Sequence, residues 1–393
     1  MKIAVITSGI LPVPAVQGGA AENLIDYYLE YNDQHHLHDI TIYSVYHPAV
    51  EKHPTLKSEY NHYIYFHVDT FMAKIMKRIH HLFHKEEYYH YTIEYFFDLA
   101  FKKIKKQKYD IIILENRPYF ALRLKGETEA QIICHQHTDT LSIESSKHDE
   151  VYSAISRFIT VSDFIGNRIK TINPQDTKCI TVHNGIDTKA FSPSKCSGTA
   201  RKDLGFLSSD FIVLYSGRIM PKKGIAELID AINLLQDEQN IKLLIIGSSF
   251  YANASDDDNF TKLLKDKAKP ISNRIFFTGY IPYERIPEYL KIVDVAAIPS
   301  LLNDAFPTTV LEAQAMGLPI ITTNFGGIPE QVSSDNAIII YSRSDFVQHL
   351  ANAIRTIYKD AHKRENMKKA SQERAQLFQK EIYAHNFFKA LSL

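Results

Sequence analysis

Short apolar runs ending in small residues, separated by longer helical stretches, dominate this sequence and leave few folds open to it. KIAVITSG, ITIYSVY, DIIILEN, QIICHQH, FITVS and CITVHNG fall in the first half. After Pro193 the programme restarts with FIVLYSGRI, KLLIIGSS, IFFTGY, DVAAIPS, PIITTN and AIIIYS. A run that is apolar at consecutive residues suits a strand buried on both faces, the situation in a parallel sheet covered by crossover helices. Amphipathic stretches such as 225–235, 287–292 and 308–316 supply those helices. The restart predicts an α/β chain of two doubly wound, Rossmann-like domains rather than one large sheet. Pro, Ser and Gly accumulate over residues 191–205, FSPSKCSGTARKDLG, which predicts the hinge there. The domains are therefore expected at 1–195 and 196–375. Residues 372–393 read as helix with no strand to serve, with Phe378, Ile382, Phe387, Phe388 and Leu391 as buried positions. A segment of this kind is expected to pack across the domain junction, so about 376–393 is assigned to the first domain.

Composition narrows the function classes. The 45 Lys+Arg offset the 45 Asp+Glu, which disfavours a dedicated nucleic-acid binder with its basic excess. Cys134, Cys179 and Cys196 are odd in number and form no CxxC pair, so a disulfide framework and a zinc knuckle are both disfavoured and a reducing compartment is expected. Apolar runs such as 111–114 and 243–246 fall far short of the roughly 18 residues of a spanning helix. The apolar run at 3–6 is likewise too short for a signal peptide, so the chain is read as beginning with a buried strand near Met1. His80 and His84 have the i, i+4 spacing of two ligands on one helix face, but no cysteine or carboxylate cluster completes a site. No metal is expected.

Three segments carry chemistry. GILPVPAVQGGAAENLI brings Gly18 and Gly19 to the start of a helix after the first strand, placing bare N–H groups where an anion can bind. Neither GxGxxG nor GxxxxGK[ST] occurs in this turn, which weakens a nicotinamide or P-loop reading. LYSGRIMPKKGIAELIDAI sets Arg218 and Lys223 on one loop at the carboxyl edge of a parallel sheet, where open α/β sheets bind ligands. A guanidinium fork and a compact ammonium together suit a diphosphate, though a solvated charged loop explains the segment as well. PSLLNDAFPTTVLEAQAMGLPI puts Asp304 in a loop, Pro307 at a helix start, Thr308 and Thr309 at its N-terminus and Glu312 in its first turns. Carboxylates at two depths could hold hydroxyls of two sugar rings; the competing role for Glu312 is a capping box with Thr309.

The order of GRIMPKKG, FTGYIP, the IPS strand end, D-x7-E followed by AQAMGLPI, and GGIPE resembles the family 4 glycosyltransferases. GG after the first strand, NRP at 116–118, HQHTD, VSDFI and VHNGID extend that resemblance through the first half. The bacterial members similar to spore coat protein SA and capsule-type sugar transferases are nearest to this pattern. The resemblance implies the GT-B architecture, with two Rossmann-like domains facing each other across a cleft and a C-terminal helix crossing back to the first. It implies that Arg218 and Lys223 grip the diphosphate of the donor, that Glu312 holds the ribose, and that Asp304 stands where the family has Glu to position the transferred sugar. Gly18 or Gly19 would approach the diphosphate, Thr308 and Thr309 would line it, and Tyr280 would sit where the base binds. His137 best matches the histidine near the reacting centre; His135 competes, since the two share a face if the strand continues.

The resemblance further implies retention of anomeric configuration without a metal or other cofactor, from a nucleoside diphosphate sugar of which UDP is the expected carrier. The acceptor would be a saccharide or lipid-linked molecule of the cell envelope. Phe71, Met72, Ile75, Met76, Ile79, Leu82 and Phe83 interleave with Lys74, Lys77, Arg78 and Lys85, and no acid occurs over 71–85. That is the pattern of a helix lying on an anionic bilayer, or of an ordinary surface helix with a basic face. The location implied is cytoplasmic, with peripheral membrane contact. A UDP-sugar epimerase and a non-enzymatic coat protein retaining the fold remain the competing classes.

Overall fold

A computed structural model describes residues 1–83, 91–195, 201–249 and 258–392, without the side chains of 77, 80–83, 91 and 92. His84, Lys85 and Cys196, all singled out above, lie outside the described residues, as do the side chains of Lys77, His80, Leu82 and Phe83. The chain divides into two compact units, Met1–Asn184 with Glu381–Leu393, and Gly185–Lys380.

The first unit holds strands β1 (Lys2–Ile6), β2 (Asp39–Val45), β3 (Asn61–Phe66), β4 (Ile111–Glu115), β5 (Gln131–Gln136), β6 (Arg157–Thr160) and β7 (Cys179–Thr181). They form one sheet in the order β3-β2-β1-β4-β5-β6-β7, with every pair parallel. Helices α1 (Ala20–His35), α2 (Phe71–Phe83), α3 (Tyr91–Ile104), α4 (Ala121–Leu124), α5 (His148–Ala154) and α6 (Asp163–Lys170) connect them. The six apolar runs of the first half all became strands. β3 was not among them: NHYIYF carries His62 outward and is only partly buried, because an edge strand has one neighbour and needs no continuous apolar run.

In the second unit, β8 (Phe211–Ser216), β9 (Ile241–Ile246), β10 (Ile275–Gly279), β11 (Val295–Ile298), β12 (Ile320–Thr323) and β13 (Ala337–Ile340) lie in the order β10-β9-β8-β11-β12-β13. Helices α7 (Ile225–Leu234), α8 (Asn259–Ala268), α9 (Ile286–Leu290), α10 (Thr308–Ala315), α11 (Ile328–Gln331), α12 (Phe346–Lys359) and α13 (Ala361–Ala375) complete it. α7 buries Ile225, Leu228, Ile229 and Ile232, the i, i+3, i+4, i+7 stripe that seats a helix on a sheet. Those residues join Val213, Leu243, Leu350 and Ile354 in one apolar core.

The C-terminal segment departs from the expected single helix. α13 ends at Ala375, Gln379 is extended, and α14 (Lys380–Ser392) begins afresh. Tyr383, Phe387, Phe388 and Leu391 of α14 enter the core of the first unit beside Tyr28 and Ile25. Ile382 is exposed rather than buried, since the burial stripe runs through Tyr383 and Ala384 instead.

Candidate active site

In each sheet the strand order turns back on itself once, between β1 and β4 and between β8 and β11. Loops diverge at such a switch point, and open parallel sheets bind ligands at its carboxyl edge. The residues selected from sequence fall at these two edges, and each is described within its own unit.

In the second unit the loops after β8, β11 and β12 are fastened together. Leu301 N–H donates to Lys222 O at 2.8 Å, and Gly327 N–H donates to Asp304 O at 2.7 Å. Gly224 has φ of 75° and lies so close to β11 that a Cβ there would come 2.0 Å from Pro299 O. Only glycine meets both conditions. This approach brings Lys223 Nζ into a hydrogen-bonded ion pair with Asp304 Oδ1, and Asp304 Oδ2 is buried without a partner. Arg218 is exposed on the same loop, where its carbonyl accepts from the Tyr215 hydroxyl at 2.9 Å. Tyr280 is half-buried just after β10.

Pro307 is the residue before α10 and offers it no side-chain cap. Thr308 and Thr309 open the helix half-buried. Glu312 is 4% exposed. Burial pushes its carboxyl up to about 7, against the opposing hydrogen bonds of Thr308 and Tyr283. The capping box weighed for Thr309 does not form, because Pro307 is the N-cap and Thr309 already lies inside α10; Glu312 instead takes hydrogen bonds from Thr308 and Tyr283. Lys223, Asp304, the start of α10 and Glu312 are thus parts of one loop cluster. Tyr283 was missed from sequence; it lies three residues beyond Tyr280 in a short helical turn, and nothing in FTGYIPYER marks it.

In the first unit, Gly18 and Gly19 precede α1 with φ of 74° and 108°. A Cβ on Gly19 would come 2.2 Å from Glu22 Oε2, so Gly19 makes room for a buried carboxylate. Ser8 Oγ donates to Glu22 Oε1 at 3.1 Å. Burial drives the Glu22 carboxyl up to about 7, against its own backbone N–H, Ser8 and the nearby His137. Arg117 Nε donates to Ser8 O at 3.2 Å, and its charge also acts on Glu22.

His137 and His135 both reach one carboxylate. Glu115, the last residue of β4, accepts on Oε2 from His137 Nε2 at 2.8 Å and from His135 Nδ1 at 3.0 Å. Its Oε1 accepts from the Tyr28 hydroxyl at 2.9 Å. Burial alone would raise the Glu115 carboxyl, but the charge and hydrogen bonds of the two histidines hold it down to about 2. Burial and His135 lower the pKa of His137, with Glu115 working the other way. The His135 side chain is fully enclosed, whereas that of His137 keeps 9% exposure. Asn116, in the left-handed region with φ of 58°, accepts from His137 N–H at 3.0 Å and from Thr138 Oγ1 at 2.9 Å. Glu22, Tyr28 and Glu115 were not selected from sequence. The available signal for Glu115 was an acid closing the otherwise apolar run DIIILEN.

Residues 197–374 match the family model described as "Glycosyl transferases group 1". Spore coat protein SA of Bacillus subtilis is 27% identical over 389 residues, spanning 96% of this chain and 95% of that protein. The Bacillus subtilis protein YtcC is 27% identical over 373 residues, 92% of this chain and 84% of its own. Among solved structures, Anabaena HepE in complex with UDP and glucose aligns over 100% of this chain and 99% of that one, at 20% identity and a TM-score of 0.74. Sucrose-phosphate synthase from Thermosynechococcus elongatus aligns over 100% and 98%, at 20% identity and a TM-score of 0.76. The two parallel-sheet units are of the GT-B type these structures share, and the segment that matches the group 1 glycosyl transferase model, residues 197–374, lies in the unit that carries Lys223, Asp304 and Glu312.

Proposed function

We propose that this protein is a retaining glycosyltransferase that moves a sugar from a nucleoside diphosphate sugar, with UDP as the carrier, to a hydroxyl of a saccharide or lipid-linked acceptor of the cell envelope. The observation that carries this reading is the fastened loop cluster at the β8–β11 switch point. It sets a cation, a helix N-terminus and two carboxylates together inside the family-matched segment. The chemical problem is to stabilise a departing nucleoside diphosphate while the anomeric carbon takes on oxocarbenium character. Arg218, Lys223 and the α10 N-terminus at Thr308 and Thr309 address it by offering positive potential to the diphosphate. Glu312 accepts from ribose hydroxyls, Tyr280 lies beside the base, and Asp304 accepts from the transferred sugar. Gly18 and Gly19 give the diphosphate a backbone it can approach. The acceptor hydroxyl attacks from the leaving-group face, its proton passes to a phosphate oxygen, and His137 orients it. No step in this scheme calls on a metal ion.

The acceptor class draws support from α2. Phe71, Met72, Met76 and Ile79 are exposed by 77%, 63%, 46% and 44%, beside the exposed Lys74 and Arg78. Large apolar side chains left in water on a basic helix suit insertion into an anionic lipid surface. No helix among the described residues is long and apolar enough to cross a membrane, so the contact proposed is peripheral, on the cytoplasmic face. The similarity to a spore coat protein favours the second reading, a coat component that keeps the fold without turnover.

A thermal-shift panel of UDP-, GDP- and ADP-sugars separates these readings, because a ligand of the native state raises the melting temperature. UDP-sugars should stabilise the wild type, Lys223→Ala should abolish the shift, and its residual transfer should fall by on the order of 10²–10³. No shift with any nucleotide sugar would overturn the transferase reading in favour of the coat component.

A further inference from the structure

We propose that Glu115 is a positioning residue: anchored by Tyr28 on one oxygen, it holds His137 with Nε2 protonated and leaves Nδ1 as the open acceptor nitrogen. The inference deepens the reading above and rests on His137 acting at the reacting centre. It comes from how the hydrogen bonds around one carboxylate must be shared out. An ionised carboxylate only accepts. Glu115 Oε2 therefore requires a proton on His137 Nε2 and another on His135 Nδ1, at 2.8 and 3.0 Å. A neutral imidazole carries one N–H, so both tautomers are set by the same oxygen.

The surroundings keep this arrangement in place. Phe387 of α14 stacks on the Tyr28 ring at 4.3 Å with an interplanar angle of 5°, and lies 5.0 Å from the His135 ring. Tyr383 lies 6.3 Å from His135 on a near-parallel plane. His135 Nε2 is buried with no partner, as a neutral ring with its proton on Nδ1 leaves it. His135 is thus the enclosed prop and His137 the ring with an outlet. The titratable groups facing His137 are Glu115, His135 and Glu22, with Tyr28 and Tyr383 behind Glu115.

The test is two-bond ¹H–¹⁵N correlation spectroscopy of full-length protein labelled with ¹⁵N-histidine, the two rings assigned by loss of signals in His135→Gln and His137→Gln. At about pH 8 the wild type should show His137 in the Nε2–H form alone. A His137 signal in the Nδ1–H form, or an exchanging mixture, overturns the proposal, as does about one zinc per chain in the purified protein, since metal ligation would take the proton off Nε2. Glu115→Ala should convert His137 to a mixture of tautomers, and an unchanged single form would also overturn it. Should that variant not fold, the wild-type tautomer decides the matter by itself. Glu115→Gln keeps the shape and removes the charge, and kcat should fall on the order of 10²-fold with the donor KM unchanged. A change in donor KM with kcat intact would refute the role at the acceptor. An Nε2–H tautomer in a protein with no transferase activity would leave the positioning intact and defeat the transferase reading instead.

Discussion

Replacing Glu312 by Gln should make the protein more stable and a poorer nucleotide binder, with the stability gain growing with pH. Glu312 is buried, and its carboxyl is raised from 4.5 to about 7. A carboxyl with a folded-state pKa above its unfolded value stabilises the native state through its bound proton. That contribution is full below 4.5, drains as pH rises, and is gone above about 7. At about 1.36 kcal/mol per unit, the gap between 4.5 and about 7 amounts to on the order of 3 kcal/mol. Gln is neutral throughout and loses nothing as pH rises. Near pH 8.5 the variant should therefore gain the whole of that amount, and near pH 5 only about 1 kcal/mol. For a unit of this size each kcal/mol moves the melting temperature by about 2–4 °C, so the expected gain is roughly 6–12 °C near pH 8.5 and about 2–4 °C near pH 5. Calorimetry of both proteins at the two pH values measures it, and taking the difference cancels the other titrating groups. An equal gap at both pH values, or a variant less stable near pH 8.5, would refute the argument that burial sets this group. The UDP-sugar thermal shift should meanwhile shrink. A carboxylate kept at a stability cost is what a binding role explains.

Two further outcomes follow from named contacts. Gly224→Ala sets a Cβ against Pro299 O at a φ of 75°, and should destabilise the second unit by about 2 kcal/mol in urea unfolding while weakening UDP-sugar binding; an unchanged midpoint would count against the close approach. Changing Lys74, Lys77 and Arg78 to Glu should abolish pelleting with vesicles of phosphatidylserine and phosphatidylcholine and leave the melting temperature nearly unchanged, whereas undiminished pelleting would remove the membrane argument from α2.

The second-unit site was legible in the sequence to a large degree because its parts are local. Arg218 and Lys223 follow the end of β8 at Ser216, and Asp304, Thr308, Thr309 and Glu312 all lie between the end of β11 at Ile298 and the end of α10 at Ala315, so strand ends and helix starts could be read from hydrophobic pattern alone. All twelve apolar runs became strands: inside each sheet, burial on both faces writes itself into consecutive residues, while the edge strands β7, β10 and β13 keep an apolar run although they are only partly buried. β3 escaped because an edge strand with Asn61, His62 and Tyr63 lacks that imprint. Alternation sets His135 and His137 on one face if the strand continues; β5 ends at Gln136, yet both rings reach Glu115. Alternation could not choose between them, because the difference is the roof of Phe387 and Tyr383 supplied from the far end of the chain.

What tertiary structure alone decided are the pairings between strands that are neighbours in space and distant in sequence. β4 and β5 run parallel in a register that sets Glu115 opposite His135, and Tyr28 arrives from α1 across 87 positions. Lys223 meets Asp304 across 81 positions because β8 and β11 are adjacent, with β9 and β10 displaced to the other side. The pattern of apolar residues records how deeply each strand is buried. It carries no record of the order in which crossover connections lay the strands side by side, and that order decides which side chains share a carboxylate.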